Sequence, residues 1–459
     1  MQKWNRFQYL PVRPLGKDGR MVTGSSEHIR LSRTAAAEGM VLLKNEHQLL
    51  PLQKGSRVAL FGKASADYVK GGGGSGDVTV AYVRNLCDGM EEKENEGKLS
   101  VFAPLNEFYR ENVAQQHKAG KNPGYTTEPE VPAELLKQAA REYDTAIISI
   151  CRFSAEGWDR KGEPDDGDFY LSREEQRMVA DVTAAFRKVV VVLNVGGMVD
   201  TSWFAHNDKI FSVLLAWQGG MEGAMAEADI LCGDVTPSGK LTDTFAASFD
   251  DYPSSANFND SKDYVCYTDD IFVGYRYFET IPGAAEKVNY PFGFGLSYTS
   301  FDLTCEKTEI DSESIAVTLR VTNTGAYAGK EVLQLYTSAP KCRLEMPKLE
   351  LRAFRKTDLL KPGESRTVTL RVPTSELSVY DEKLAAYVLP AGSYRIFAGT
   401  SVRAIREVGV FEVEQERVVG QVKNRCAPKK LPQRLKADGS YEKLETGEYA
   451  PVYDTADWP

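Results

Sequence analysis

Three apolar, β-branched runs constrain this chain most: Thr145–Cys151, Lys188-Val-Val-Val-Val-Leu-Asn194 and Ile210–Trp217. Each is short for a helix, and none alternates apolar with polar residues. Each therefore reads as a strand buried on both faces. Helical patterning lies around and between them, at Ala133–Glu142, Arg173–Phe186 and a Gly-led stretch running to Leu231. Ser172, with Glu175 three residues on, forms a capping box before the second of these helices. Val58–Phe61 adds a short buried strand, and Arg30–Lys44 reads as a helix with a strand-like end. Alternating strands and helices predict a mostly parallel sheet covered on both faces, an α/β sandwich. Residues 90–132 are polar, contain Gly and Pro, and show no pattern that assigns them.

Beyond Tyr290-Pro-Phe-Gly-Phe-Gly-Leu-Ser-Tyr298 the period changes to two. Ile315–Thr322 and Val332–Tyr336 alternate, and Asn323-Thr-Gly325, Lys361-Pro-Gly363 and Pro390-Ala-Gly392 punctuate the strands. That pattern predicts an all-β sandwich. The organisation expected is an N-terminal arm over residues 1–25, an α/β domain over 26–298, a β-sandwich over 299–414 and a charged tail over 415–459 without strand pattern. A length of 459 residues accommodates two or three domains.

The net charge of −9 argues against nucleic acid or an anionic membrane surface as partner. No apolar run reaches the ~18 residues of a membrane span. The N-terminus has no apolar signal segment, and seven cysteines are scattered without paired spacing, so a reducing, cytoplasmic setting is expected. The four histidines are dispersed, which disfavours a histidine-rich metal site; no metal and no cofactor is expected.

The candidate chemistry lies just past the first of the three runs. The loop after Cys151 reads Arg-Phe-Ser-Ala-Glu-Gly-Trp-Asp-Arg-Lys161 and continues to Gly167-Asp-Phe-Tyr-Leu-Ser172. It places Glu156 beyond the C-terminal end of a parallel strand, the edge where open α/β sheets bind ligands. A charged loop is ordinarily solvated surface. Here Glu156 is followed by Gly157 and Trp158, and a carboxyl beside an indole is expected to lose water, which raises its pKa toward that of a general acid. A second loop, Lys70-Gly-Gly-Gly-Gly-Ser-Gly-Asp77, lacks the Gly-Lys-Ser/Thr of a phosphate-binding loop. Its glycines are read instead as letting backbone approach a sugar closely.

Ser154-Ala-Glu-Gly-Trp-Asp-Arg-Lys161 with Gly167-Asp-Phe-Tyr-Leu-Ser172 resembles the acid/base loop of glycoside hydrolase family 3, the β-glucosidase family, which typically shows Ser-Gly-Glu-Gly-Tyr-Asp-Arg. Ala155 and Trp158 depart mildly from it. Ala36–Asn45 with Leu50-Pro-Leu52, Ala216-Trp-Gln-Gly-Gly220, Gly233–Leu241 and Ile271–Phe278 are similar to further family segments, and most of these read as turns and packing. The resemblance implies that Glu156 is the general acid/base. It also implies that Ser75, with Gly74 and Trp158, contacts the bound sugar, with Asp77 as a neighbour. Leu349–Phe354 resembles a segment of the family's fibronectin type III-like domain.

In that family the nucleophile is an aspartate on a (β/α)₈ barrel that also supplies a Lys-His pair. Neither a Lys-His dipeptide nor a Ser-Asp-Trp signature occurs here, and Asp457-Trp458 lies in the tail. The resemblance therefore covers residues ~26 to ~415. The order of domains resembles the circularly permuted branch, with the barrel expected in cis or in trans. The expectation is a part of a retaining β-glucosidase acting on β-glucosides or related oligosaccharides, incomplete and inactive alone. The alternative is a non-catalytic sugar-binding or subunit-interaction module.

Overall fold

The computed structural model describes residues 24–78, 80–154, 156, 160–258, 261, 264–423 and 431–444. The chain divides into two compact units. The first comprises residues through Val199, then His206–Gly239 and Leu296–Tyr298; the second comprises Asp200–Ala205, Lys240–Gly295 and the residues from Thr299.

The first unit is built on six strands: β1 (Val41–Asn45), β2 (Ser56–Phe61), β3 (Leu99–Val101), β4 (Thr145–Cys151), β5 (Lys188–Asn194) and β6 (Ile210–Leu215). They lie in the order β1-β6-β5-β4-β2-β3, all parallel except β1, which runs antiparallel to β6. Every residue of β4 is buried, Thr145 and Ser149 included, as befits a strand covered on both faces. One face of the sheet packs Leu60, Ile147, Val192 and Leu214 against helices α1 (Ser26–Gly39), α2 (Leu86–Asn95) and α6 (Gly223–Leu231). Phe61 packs edge-on against Phe186, which caps α5 (Arg173–Ala185).

The strands expected from apolar runs are present, as is the Ser172/Glu175 capping box. The α/β fold class is as read. Of the unassigned stretch 90–132, residues 90–118 are largely regular: they hold the end of α2, β3 and α3 (Ala103–Lys118), and α4 (Ala133–Glu142) follows after an irregular segment. α4 lies where its helical pattern placed it, whereas α2 starts on an Asn85/Asp88 capping box rather than the Ser/Glu form, and β3 has only three residues. Buried Lys93 also disguises the inner face of α2; its ammonium is held by Asp229 at 2.7 Å and Asp234 at 2.8 Å.

The second unit is all-β in its main part. β7 (Phe301–Ile310), β8 (Ser314–Asn323) and β11 (Ser365–Pro373) form one antiparallel sheet. β9 (Val332–Ser338), β10 (Glu350–Lys356), β12 (Gly392–Gly399) and β13 (Ile405–Val413) form another. Ile315, Val317, Leu319 and Val321 face inward from β8, the period-two face expected of a sandwich, and meet Leu333, Leu335 and Ile396. The stretch after Glu414 differs from its reading as strandless. Arg417–Gln421 pairs with Ala386–Leu389, and Gln433–Leu435 forms a hairpin with Tyr441–Lys443. Its charged composition hides short strands whose side chains are largely exposed.

Candidate active site

β4 ends at Cys151, and the next residue ties together the two ends of the loop that follows. The Arg152 guanidinium is buried and meets the Glu175 carboxylate in two parallel bonds of 2.8 Å. It also donates to the carbonyls of Cys151 at 2.7 Å, Asp168 at 2.6 Å and Tyr170 at 3.2 Å. One side chain thus ties the exit of β4 to the far end of the loop and to the N-terminus of α5. Asp168 closes the loop again, accepting from the backbone N–H of Lys161 at 2.7 Å and from Arg160. Asn194, at the end of β5, accepts from the Val69 N–H at 2.8 Å and donates to the carbonyls of Val69 and Trp217 at 2.9 and 2.7 Å. It joins the loops after three different strands.

On this scaffold Glu156 is exposed and meets the glycine turn Gly74–Gly76. Its Oε2 accepts from the Ser75 backbone N–H at 3.0 Å and from the Ser75 hydroxyl at 2.9 Å. Gly73 N–H donates to the Ser154 carbonyl at 3.3 Å, so the turn and the loop are stitched on both sides of position 155. Gly74 has φ +64°, and a Cβ there would lie 2.5 Å from the Glu156 Cβ and 2.8 Å from its Oε2. Only glycine fits both the left-handed backbone and the contact. The close approach read from the glycines is therefore made, within this chain, to Glu156.

The expectation of a raised Glu156 pKa is overturned. Two hydrogen bonds, the Ser75 N–H first and its hydroxyl second, hold the carboxyl below the usual carboxylate range. No described residue buries it, so desolvation is the lesser effect. Trp158, expected to supply the apolar cover, lies outside the described residues. Asp77 pairs with Lys70 at 2.6 Å, which ties down the exit of the glycine turn.

Two clefts flank Phe153, on the same loop. One, of about 410 Å³, is lined by Tyr68, Val69, Gly73, Gly74, Asp77 and Asn122. The other, of about 830 Å³, is lined by residues of the 122–128 and 165–168 segments and by Phe153. Tyr125 stacks edge-on against Phe153 with ring centres 5.0 Å apart. Lys63 holds the 122–128 segment down, its ammonium donating to the carbonyls of Gly124 at 3.0 Å and Thr126. Burial pushes the Glu128 carboxyl up to about 7, although the Lys63 N–H and the Tyr109 hydroxyl both donate to it. Sequence reasoning missed Lys63, Glu128 and Asn194, and gave Arg152 no role. The one signal for Arg152 was its position as a charge directly after a mostly apolar strand.

The structure brings Glu156, Ser75 and Gly74 together at the C-terminal edge of the parallel strands. Residues 40–298 match the glycosyl hydrolase family 3 C-terminal domain, and residues 331–402 match a fibronectin type III-like domain. The chain is 49% identical to β-glucosidase A of Butyrivibrio fibrisolvens, over 99% of this chain and 59% of that protein. It is 38% identical to a β-glucosidase of Ruminococcus albus, over 88% of this chain and 42% of the relative. Among solved structures, a β-glucosidase from Paenibacillus barengoltzii superposes with a TM-score of 0.83 at 38% identity, covering 91% of this chain and 47% of that one. β-glucosidase 3B from Thermotoga neapolitana in complex with glucose gives 0.78 at 37% identity, covering 86% and 55%. The chain spans about half the length of the curated relatives it matches. With more than half of its residues inside the matched C-terminal domain, the chain belongs to glycosyl hydrolase family 3.

Proposed function

We propose that this chain supplies the general acid/base, Glu156, of a retaining β-glucosidase, and that the nucleophile comes from a (β/α)₈ barrel in cis or in trans. The observation that carries the reading is the exposed Glu156 carboxylate at the ligand-binding edge of a parallel sheet, met there by a glycine turn. The relatives that are β-glucosidases support β-glucosides as the substrate class.

In the first half-reaction the nucleophile's oxygen bonds to the anomeric carbon while the glycosidic C–O bond breaks. Protonated Glu156 gives its proton to the departing oxygen. In the second, Glu156 takes a proton from water as the water oxygen bonds to the anomeric carbon and the glycosyl-enzyme ester breaks. Ser75, Gly74 and Trp158 contribute to holding the sugar on this reading. Because the uncovered carboxyl is held ionised, substrate and barrel must exclude water from it to raise its pKa into the working range. The six described cysteines are free thiols, which supports a cytoplasmic setting and a role in carbohydrate breakdown there.

The first test is hydrolysis of p-nitrophenyl β-glucoside. The 459-residue chain alone is expected to be silent, and joined to a family barrel it is expected to be active. In the active form, Glu156→Ala should lose most turnover, and azide should restore it on an activated substrate. Unchanged activity in Glu156→Ala would remove Glu156 from the role.

A second reading, an interaction module that pairs with a separate barrel, is favoured by one observation. Tyr264, Val265, Tyr267 and Val273 are all more than half exposed or nearly so within one short stretch of the second unit. Exposed apolar side chains close together in the chain fit a surface that a partner covers.

A further inference from the structure

We propose that Ser75 is a positioning residue for Glu156: its backbone N–H and hydroxyl together fix Oε2 and leave Oε1 as the oxygen that carries the proton. The inference rests on the acid/base reading of Glu156 and assigns the chemistry of its two oxygens.

Both Ser75 groups converge on the same carboxylate oxygen, at 3.0 and 2.9 Å. Oε1 has no hydrogen-bond partner among the described residues. The two donors differ in a way that decides the outcome. A hydroxyl rotates and can accept instead of donate, but a backbone N–H only donates. A proton on Oε2 would point at the Ser75 N–H or force its hydrogen bond to break. When the carboxyl protonates, the proton therefore goes to Oε1. Oε1–H then gives the proton to the glycosidic oxygen as that bond to the anomeric carbon breaks, and Oε1 takes one back from the attacking water.

The turn is built for this contact. Gly74 carries no Cβ where one would strike Glu156, and Gly73 binds the Ser154 carbonyl on the other side. The hydroxyl adds a function that backbone alone would lack, because it can release Oε2 for a sugar hydroxyl while the N–H keeps the carboxylate in register. Two loops 81 residues apart in sequence thus act as one element.

The test is an NMR titration of the 459-residue chain carrying ¹⁵N-serine and carboxyl-¹³C-glutamate. The Glu156 signal is identified by its loss in Glu156→Gln, and the Ser75 amide by its loss in Ser75→Ala. In the native chain the Ser75 amide is expected to shift with the same midpoint as Glu156, and that shift should vanish in Glu156→Gln. Ser75→Ala should move the Glu156 midpoint upward, toward the ordinary carboxylate range, and Ser75→Thr should restore it. A Glu156 midpoint that is the same in the native chain and in Ser75→Ala would overturn the inference, as would a Ser75 amide that ignores Glu156. The azide experiment bears on the acid/base reading separately. Rescue without coupling in the titration leaves Glu156 catalytic and removes Ser75 from this role. Coupling without rescue removes the catalytic assignment, and the proton-carrying role of Oε1 with it.

Discussion

Replacing Arg152 with methionine isolates the anchor on which the Glu156 loop depends. The guanidinium and the Glu175 carboxylate are both about 95% or more buried and bound by two parallel hydrogen bonds. Removing the cation strands a carboxylate in the interior, which costs about 3–5 kcal/mol. Three carbonyls, of Cys151, Asp168 and Tyr170, lose a donor in the same step. Against a total stability of about 5–15 kcal/mol the loss is large. At about 2–4 °C per kcal/mol for a domain of this size, the first unit should melt roughly 6–20 °C lower. Differential scanning calorimetry would read the shift, and limited proteolysis should show new cleavage between residues 152 and 172. Glu175→Met should be damaging for the same reason. The double variant should be less damaged than the two losses added together, because an apolar pair leaves no charge uncompensated. A melting shift below about 3 °C in Arg152→Met, or strictly additive losses, would refute the argument that this pair holds the loop.

Glu227 sits on α6 with neither carboxylate oxygen hydrogen-bonded among the described residues, and burial pushes its pKa up to about 8. A folded pKa raised above the unfolded value near 4.5 gives a stability that is full below pH 4.5 and is lost as pH rises toward about 8. Glu227→Leu should accordingly stabilise the chain by about 2–4 kcal/mol at pH 7 and flatten that dependence, and melting temperatures from pH 5 to 8 would expose a slope that persists. Gly74→Ala would place a Cβ against Glu156 at a positive φ; the turn should shift off the loop, and the Ser75 amide should stop reporting the Glu156 titration. An alanine variant that keeps this coupling would show that the turn has room to spare. Combined with a barrel, Glu156→Ala should need azide for turnover of an activated glucoside, and growth of the azide adduct is the direct readout.

Much of the fold was legible because it depends on local pattern. The runs ending at Cys151, Asn194 and Leu215 form strands because short stretches rich in apolar and β-branched residues, without polar alternation, suit a sheet covered on both faces. Ser172 and Glu175 set the start of α5 through their own short-range bonds. Where charged side chains are buried in pairs, the pattern fails. Lys93 breaks the apolar face of α2 because its partners, Asp229 and Asp234, come from a distant segment.

The candidate site divides along the same line. Sequence by itself determined that a carboxyl, Glu156, stands on the loop after a parallel strand, and that a glycine turn exists elsewhere in the chain. Only the tertiary structure decided that the turn closes on that carboxyl, that Ser75 donates to it twice, and that its pKa falls rather than rises. The reason is physical. Periodicity and capping are set by neighbours along the chain, whereas the charge state of a carboxyl is set by the donors and the solvent around it, whichever part of the chain they come from.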